Sequence, residues 1–222
     1  MEQVTIRSYK ARDYQGVRDV CCATGLLGEP VGKVFSDEET FANLFTKYYT
    51  DVAPESAFVI ENQGKIVGYV LGCLDNRKFR NYFLVKLLPQ IIPKIIWRYF
   101  TKYSLQERKW VRRVALDGIK GSLNSPPRPA HLHIDLLKEY RGRKVGKILI
   151  NKFFQYMRDK GVDKIYGGVW SFDHKKTKHL YRKLGFQICA YQPSNIFKDI
   201  LKKKVYALEL MRDLTQEEWK IK

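Results

Sequence analysis

The stretch Glu139-Tyr140-Arg141-Gly142-Arg143-Lys144-Val145-Gly146-Lys147 mixes small residues with closely spaced cations, and it joins an alternating apolar segment to a long apolar-periodic one. Where a strand hands over directly to a helix, the first helical N–H groups have no partner and point into the loop. The helix dipole adds the equivalent of about half a positive charge there. Phosphate or diphosphate suits such a place. Arg141, Arg143, Lys144 and Lys147 add full charges around it, and the small residues let a bulky anion approach the backbone. The spacing is neither G-x-x-x-x-G-K-[ST] nor G-x-G-x-x-G, so a Walker loop and a dinucleotide fingerprint are both excluded. Taken alone, the loop leaves an ordinary basic turn as the alternative.

The elements around this loop can be read from periodicity. Val4 to Tyr9 alternates as a strand, and Tyr14, Val17, Val20, Cys21 and Thr24 then fall at helical spacing. A second helical stripe, Phe41, Leu44, Phe45 and Tyr48, follows Ser36, which with Glu39 has the form of a capping box. A hairpin is expected from Ala57 to Leu74 with its turn at Asn62-Gln63-Gly64. Beyond Pro129 come a strand at Ala130 to Leu137, a helix at Val145 to Lys160 closed by Gly161, and a strand at Lys164 to Trp170. A short helix at Asp173 to Leu184 and strands at Phe186 to Tyr191 and Val205 to Met211 complete the pattern.

Residues 77–128 interrupt this order. They are helical in character and carry thirteen Lys or Arg against only Glu107 and Asp117, more than half of a net charge of +18. The run Ser125-Pro126-Pro127-Arg128-Pro129 closes them as a stiff linker. Their apolar residues, among them Leu87, Ile91, Ile92, Ile95, Ile96 and Trp97, need a place to bury, and a lid over the site would provide one. Tyr82 to Phe100 is the most apolar stretch, but Lys86, Pro89, Gln90, Pro93, Lys94 and Arg98 break it, so no membrane span is expected. The first residues have no apolar signal region, and a cytoplasmic protein is expected. Cys21, Cys22, Cys73 and Cys189 form no C-x-x-C pair and read as buried reduced thiols, and no metal is assigned.

The loop and its surroundings resemble the GNAT superfamily of N-acetyltransferases. Arg141-Gly142-Arg143-Lys144-Val145-Gly146 is similar to the family's [RQ]-x-x-G-x-[GA] loop, with Lys144 in place of the first glycine and Gly146 as the second. Leu132-His133-Ile134-Asp135-Leu136-Leu137 looks like the family's central strand, and Leu180-Tyr181-Arg182-Lys183-Leu184-Gly185-Phe186 looks like its closing L-Y-x-K-x-G-F signature. The order of elements at the front of the chain follows the family too, so all but residues 77–128 is covered. The insert, Leu74-Asp75 and His133-Ile134-Asp135 are faintly similar to the acetyltransferase-like domain fused to eukaryotic O-GlcNAc hydrolases. The resemblance implies an α/β (α+β) GNAT fold. That fold would be a single domain over 1–222, with a mixed central sheet of about six or seven strands flanked by helices. A basic helical insert at 77–128 would lie between the third and fourth strands.

It also implies acetyl-CoA as co-substrate. The pantetheine arm would lie at Leu136 and Leu137, and the diphosphate at Arg141, Gly142, Arg143, Lys144, Val145, Gly146 and Lys147. Contacts at His174 and Thr177 would be altered, since many relatives carry Asn and Ala there. Tyr181 matches the family's usual general acid, the alternative being a core tyrosine on the Leu180 and Leu184 face. For the base, Asp135, His133 and His131 share one face of the strand at alternate positions, with Glu29 and Asp75 poorer candidates. Trp170 either lines the cleft or fills the core.

The acceptor implied is a primary amine on a small molecule or peptide, and the basic insert favours an anionic one. Family relatives are often dimers, so a homodimer stays open. Two other readings remain beside the enzyme: a relative that binds CoA without turnover, suggested by Lys144, and a nucleic-acid-binding module on the same scaffold. The second lacks any recognised RNA or DNA motif.

Overall fold

A computed structural model of the chain describes residues 4–124 and 129–215, with side chains left out at 118–124. The proline-rich linker expected at 125–129 falls outside the described residues, except for its last proline.

Alternating residues build the strands, and each alternation feeds two cores. β1 (Thr5–Ser8), β2 (Ala57–Asn62), β3 (Lys65–Cys73), β4 (His131–Leu136), β5 (Lys164–Ser171), β6 (Gln187–Ser194) and β7 (Val205–Asp213) form one seven-stranded sheet in the order β1-β2-β3-β4-β5-β7-β6. All neighbours are antiparallel except β4 and β5. Ala57, Val59, Tyr69 and Leu71 face one side, where α1 (Tyr14–Thr24) and α2 (Glu38–Asp51) pack. Phe58, Ile60 and Val70 face the other and meet Leu149, Phe153 and Met157 of α6 (Val145–Asp159). The mixed sheet, its strand number and the helical insert after β3 match the fold read from the sequence.

Gly68 and Gly72 do more than soften β3. A Cβ at Gly68 would come within 2.5 Å of Leu136 Cδ1, and one at Gly72 within 2.5 Å of the Phe153 ring, so both glycines make room for neighbours. Positive φ at Gln63 (48°) and Gly64 (79°) gives the β2–β3 hairpin the two left-handed residues of a type I′ turn.

The insert is a helical arm: α3 (Asn76–Tyr82), a π-helical turn at Phe83–Leu87, α4 (Leu88–Thr101) and α5 (Leu105–Asn124). Its docking overturns the Ser36–Glu39 capping box. The N-cap of α2 is Asp37, whose Oδ1 accepts from the Thr40 amide at 3.1 Å. Ser36 turns instead to Glu107, giving its amide at 2.8 Å and its hydroxyl at 2.6 Å to the carboxylate, and Glu39 accepts from Arg98 at 2.8 Å. Arg98 and Tyr103 also donate to Asp37, each at 2.5 Å. Partners distant in sequence outcompeted the local motif.

Two further expectations are corrected. Cys21, Cys22 and Cys73 are buried, but Cys189 is exposed, lying on the edge strand β6 beside a register shift at Ile188/Ala190. Burial of the insert's apolar residues is only partial: Leu87 and Ile91 are buried, whereas Ile92, Ile96 and Trp97 are exposed. One face of a helix can pack on α2, and the opposite face then points to solvent.

Candidate functional site: a gap in the sheet beside a phosphate-like nest

β4 and β5 pair at a single register position, His131 with Tyr166, where the Tyr166 amide donates to Ala130 O at 3.1 Å. Beyond it, β4 continues along β3 as far as Gly68↔Leu136, and β5 continues along β7 as far as Ser171↔Tyr206, so the two strands part. The Leu137 amide donates to Val67 O at 2.9 Å. Because an antiparallel ladder alternates, the polar backbone groups of Ile134 and Leu136 face the other way, towards the gap. Of the two residues expected to meet a pantetheine arm, Leu136 therefore presents its backbone to the gap, and Leu137 has its amide committed to β3.

The gap opens towards the start of α6. Lys147 and Ile148 donate to Lys144 O at 3.0 and 3.2 Å. Among the described residues, the amides of Gly142, Arg143, Lys144, Val145 and Gly146 make no hydrogen bond, so five consecutive N–H groups are available to an anion. Gly142 (φ 78°) and Lys144 (φ 63°) are both left-handed. A glycine would adopt this conformation freely, and Lys144 meets it against its preference. A Cβ at Gly142 would meet nothing within 4 Å, and one at Gly146 only Leu136 Cδ2 at 3.6 Å, which leaves the nest open. Arg141 points elsewhere: its Nε donates to Leu136 O at 2.8 Å and its Nη2 to Gly28 O at 3.0 Å, tying the loop to the turn after α1. Arg143 stacks over the Tyr140 ring at 5.5 Å.

On the α1 side of β4, three polar side chains converge. The Tyr69 hydroxyl donates to Asp135 Oδ2 at 2.6 Å and lies 3.5 Å from His133 Nδ1, and His133 Nε2 is 3.3 Å from the same Oδ2. Tyr69 is fully buried, whereas Asp135 keeps 22% of its side chain exposed and His133 28%, so a substrate can reach the pair. Burial raises the Asp135 pKa, and the nearby His133 and the hydrogen bond from Tyr69 only partly oppose it.

Tyr181 lies on α7 (His174–Lys183) and packs with the second core, its ring 5.9 Å from Phe186. Its pKa is pushed up to about 12, by burial and then by the Asp135 charge. Among the described residues its hydroxyl makes no hydrogen bond. Asp135 and Tyr181 thus belong to opposite faces of the sheet, electrostatically within reach of one another.

The remaining candidates are occupied elsewhere. His131 Nε2 lies 2.8 Å from the Tyr49 hydroxyl, inside an aromatic box with Phe79. His174 stacks on Tyr191 with ring centroids 5.1 Å apart, and Thr177 shares a 2.5 Å hydrogen bond with Ser171. Trp170 packs edge-on against Phe197 in the first core. Glu29 pairs with Lys33 and Lys138, and Asp75 caps α3. Tyr69 and Gly28 are the site residues that sequence reading missed. Tyr69 lay in a strand already identified, but only the β3–β4 register reveals that it faces Asp135. A separate cavity of about 380 Å³ lies between α1, α2 and α4, lined by Arg18, Asn43, Lys47 and Lys94.

Residues 95–186, which run from α4 through the loop to Phe186, match the model of the Acetyltransferase (GNAT) family. The chain is similar over 96% of its length to the whole of SsHAT, with 27% identity and a TM-score of 0.74. It also resembles yncA from Salmonella typhimurium, solved with its cofactor acetyl-CoA, at 12% identity and a TM-score of 0.56, covering 97% of this chain and 96% of that one. An N-acetyltransferase from Staphylococcus aureus matches at 12% identity and a TM-score of 0.55, covering 96% of this chain and 99% of that one. With its sheet parted between β4 and β5 and an open nest at the head of α6, the chain is a protein of the GNAT fold whose residues 95–186 carry the match to the acetyltransferase family.

Proposed function

We propose that the protein is an N-acetyltransferase that moves the acetyl group of acetyl-CoA to a primary amine by direct attack, with both substrates bound at once. The observation that carries this reading is the parting of β4 from β5 where five unpartnered amides begin α6. Acetyl-CoA, the cofactor solved with yncA, supplies a carbonyl already activated as a thioester, so the chain needs no nucleophile of its own.

The fit of the residues supports the reading. The amides of Gly142 to Gly146, with Arg143, Lys144 and Lys147 around them, hold the diphosphate. The backbone edge of Ile134 and the amide of Leu136, whose carbonyl is held by Arg141, accept the pantetheine arm much as they would an added strand. Asp135, its basicity raised by burial and its position fixed by Tyr69 and His133, takes a proton from the acceptor amine. Tyr181 holds its proton throughout the working pH range and gives it up at the hydroxyl to the departing sulfur, an uphill transfer that needs close approach. Since the two groups belong to opposite faces of the sheet, an acyl group threaded through the gap lies between base and acid. We read the whole chain as one domain, with the basic insert bordering the acceptor side. The narrower kinship with the O-GlcNAc hydrolase-associated domain rests on the insert and on Leu74-Asp75 and His133-Ile134-Asp135 alone.

A thiol-release assay with acetyl-CoA across amines, amino sugars and peptides, read together with the mass of the acetylated product, tests the proposal. A product heavier by one acetyl group, with stoichiometric thiol, supports it. CoA binding without turnover on any amine identifies instead a relative that binds CoA without catalysis.

A further inference from the structure

The insert presents an apolar surface that the acetyl-transfer reading does not use. The π-helical turn and α4 pack Leu87 and Ile91 inwards, at 1% and 3% exposure. The opposite face of α4 carries Ile92, Ile96 and Phe100 in one row, with Trp97 at its flank, Val85 in the turn before it and Leu105 following at the head of α5, and these are between 43% and 75% exposed. Scattered apolar residues on a surface are ordinary, but a continuous helical row is not. Nothing among the described residues covers it.

The charge around the row is one-sided. Residues 76–106 contain seven Lys or Arg and no Asp or Glu. Arg77, Lys78, Arg80, Lys86 and Lys102 are exposed and make no ion pair among the described residues. Lys102 Nζ lies 5.3 Å over the Trp97 ring, so a cation and an aromatic body stand side by side. An apolar face holding Trp and Phe, edged by cations and free of acids, is the composition of a helix that lies in a membrane interface. No helix among the described residues is long and apolar enough to cross a bilayer.

We propose that α4 docks the protein on an anionic lipid bilayer, with Ile92, Ile96, Trp97 and Phe100 entering the boundary between headgroups and acyl chains and the flanking Lys and Arg meeting anionic headgroups. A nucleic acid matches the charge but would leave Ile92 and Ile96 in water, since phosphates offer no apolar medium. The aliphatic centre of the row therefore selects the bilayer.

Sedimentation of the full chain with phosphatidylcholine vesicles, with and without phosphatidylserine, tests this. The protein should pellet with the serine-containing vesicles, less so as salt rises, and Ile96→Asp or Phe100→Asp should weaken partitioning by on the order of tenfold. Both positions are exposed, so melting temperature and acetyl-CoA binding should not change. Brominated lipid should quench the wild type more than Trp97→Phe. The proposal is overturned if the wild type stays in the supernatant at low salt, or if both Asp variants pellet as it does. It is equally overturned if light scattering finds a dimer that Phe100→Asp dissolves, or if these variants lose oligonucleotide binding and no vesicle binding is seen.

Discussion

Tyr69 and Asp135 are direct partners across the β3–β4 ladder, and the Tyr69 hydroxyl donates to Asp135 Oδ2 at 2.6 Å. The contact fixes a half-buried carboxylate beside the gap and leaves its other oxygen free of that bond. Burial raises the Asp135 pKa, so its charged form is the disfavoured one in the folded state. Its contribution to stability is therefore complete at low pH and lost as pH rises through the folded-state pKa. Asp135→Asn should melt above the wild type at neutral pH, with the difference fading below the ordinary carboxylate range. The acid limb of kcat/KM should lie above that range and vanish in the variant, with turnover down by about 10²–10⁴-fold. Calorimetry across pH with parallel kinetics checks both, and an Asn variant of full activity removes Asp135 as the base.

Tyr181 should act on chemistry rather than on binding. With a pKa of about 12 it stays protonated at every pH usable for assay, so no alkaline limb should come from it. Tyr181→Phe should lower kcat by about 10²–10⁴-fold and leave the dissociation constant for acetyl-CoA unchanged. Calorimetric titration beside steady-state rates separates the two effects, and unchanged kcat would return Tyr181 to the core.

Gly146 separates ligand effects from folding effects. A Cβ there would make only an ordinary 3.6 Å contact with Leu136, so Gly146→Ala should fold as the wild type does. Gly146→Asp also adds a negative charge at the helix head, where it favours the helix but repels a diphosphate. CoA should raise the melting temperature of the wild type and of Ala, less for Ala, and should not raise that of Asp. Equal CoA shifts in all three proteins would dissociate this nest from the ligand.

Lys144 carries strain that a glycine would relieve. At φ 63° and ψ −14° it holds the left-handed conformation, which costs a side-chain-bearing residue roughly 1–2 kcal/mol, partly offset by the extra chain freedom of glycine. Lys144→Gly should be stabilised by up to about 1 kcal/mol, or ~2–4 °C for a chain of this size. CoA affinity should fall by no more than about threefold, because one exposed charge is lost and the amides stay. Scanning calorimetry and titration measure both, and a destabilised variant would contradict the strain.

Much of the fold was legible because its signals are local. Alternation in Val4 to Tyr9 and in Ala130 to Leu137, helical spacing in Val145 to Met157, and glycines at 64, 161 and 185 mark the strands, helices and turns from short windows. The loop after Tyr140 was legible for the same reason. Contacts between distant segments were not. Ser36 carries a capping signature, but Glu107 comes from 71 positions away and takes its amide and hydroxyl. Tyr69 meets Asp135 only through a register set across the whole insert. Arg141 reads as a phosphate ligand from its motif, yet Gly28, supplied by a turn far upstream, gives its guanidinium a backbone partner. On α4 the sequence is apolar on both faces, and only the packing against α2 decides which one meets water.

Amide hydrogen exchange, residue by residue, with and without CoA, bears most directly on the diphosphate nest. Binding should slow exchange at Gly142 to Gly146 and at Ile134 and Leu136, leaving the amides around the α1–α2–α4 cavity unchanged. If CoA binds and these backbone groups exchange as fast as before, the ligand lies elsewhere and the catalytic roles given to Asp135 and Tyr181 fall with it.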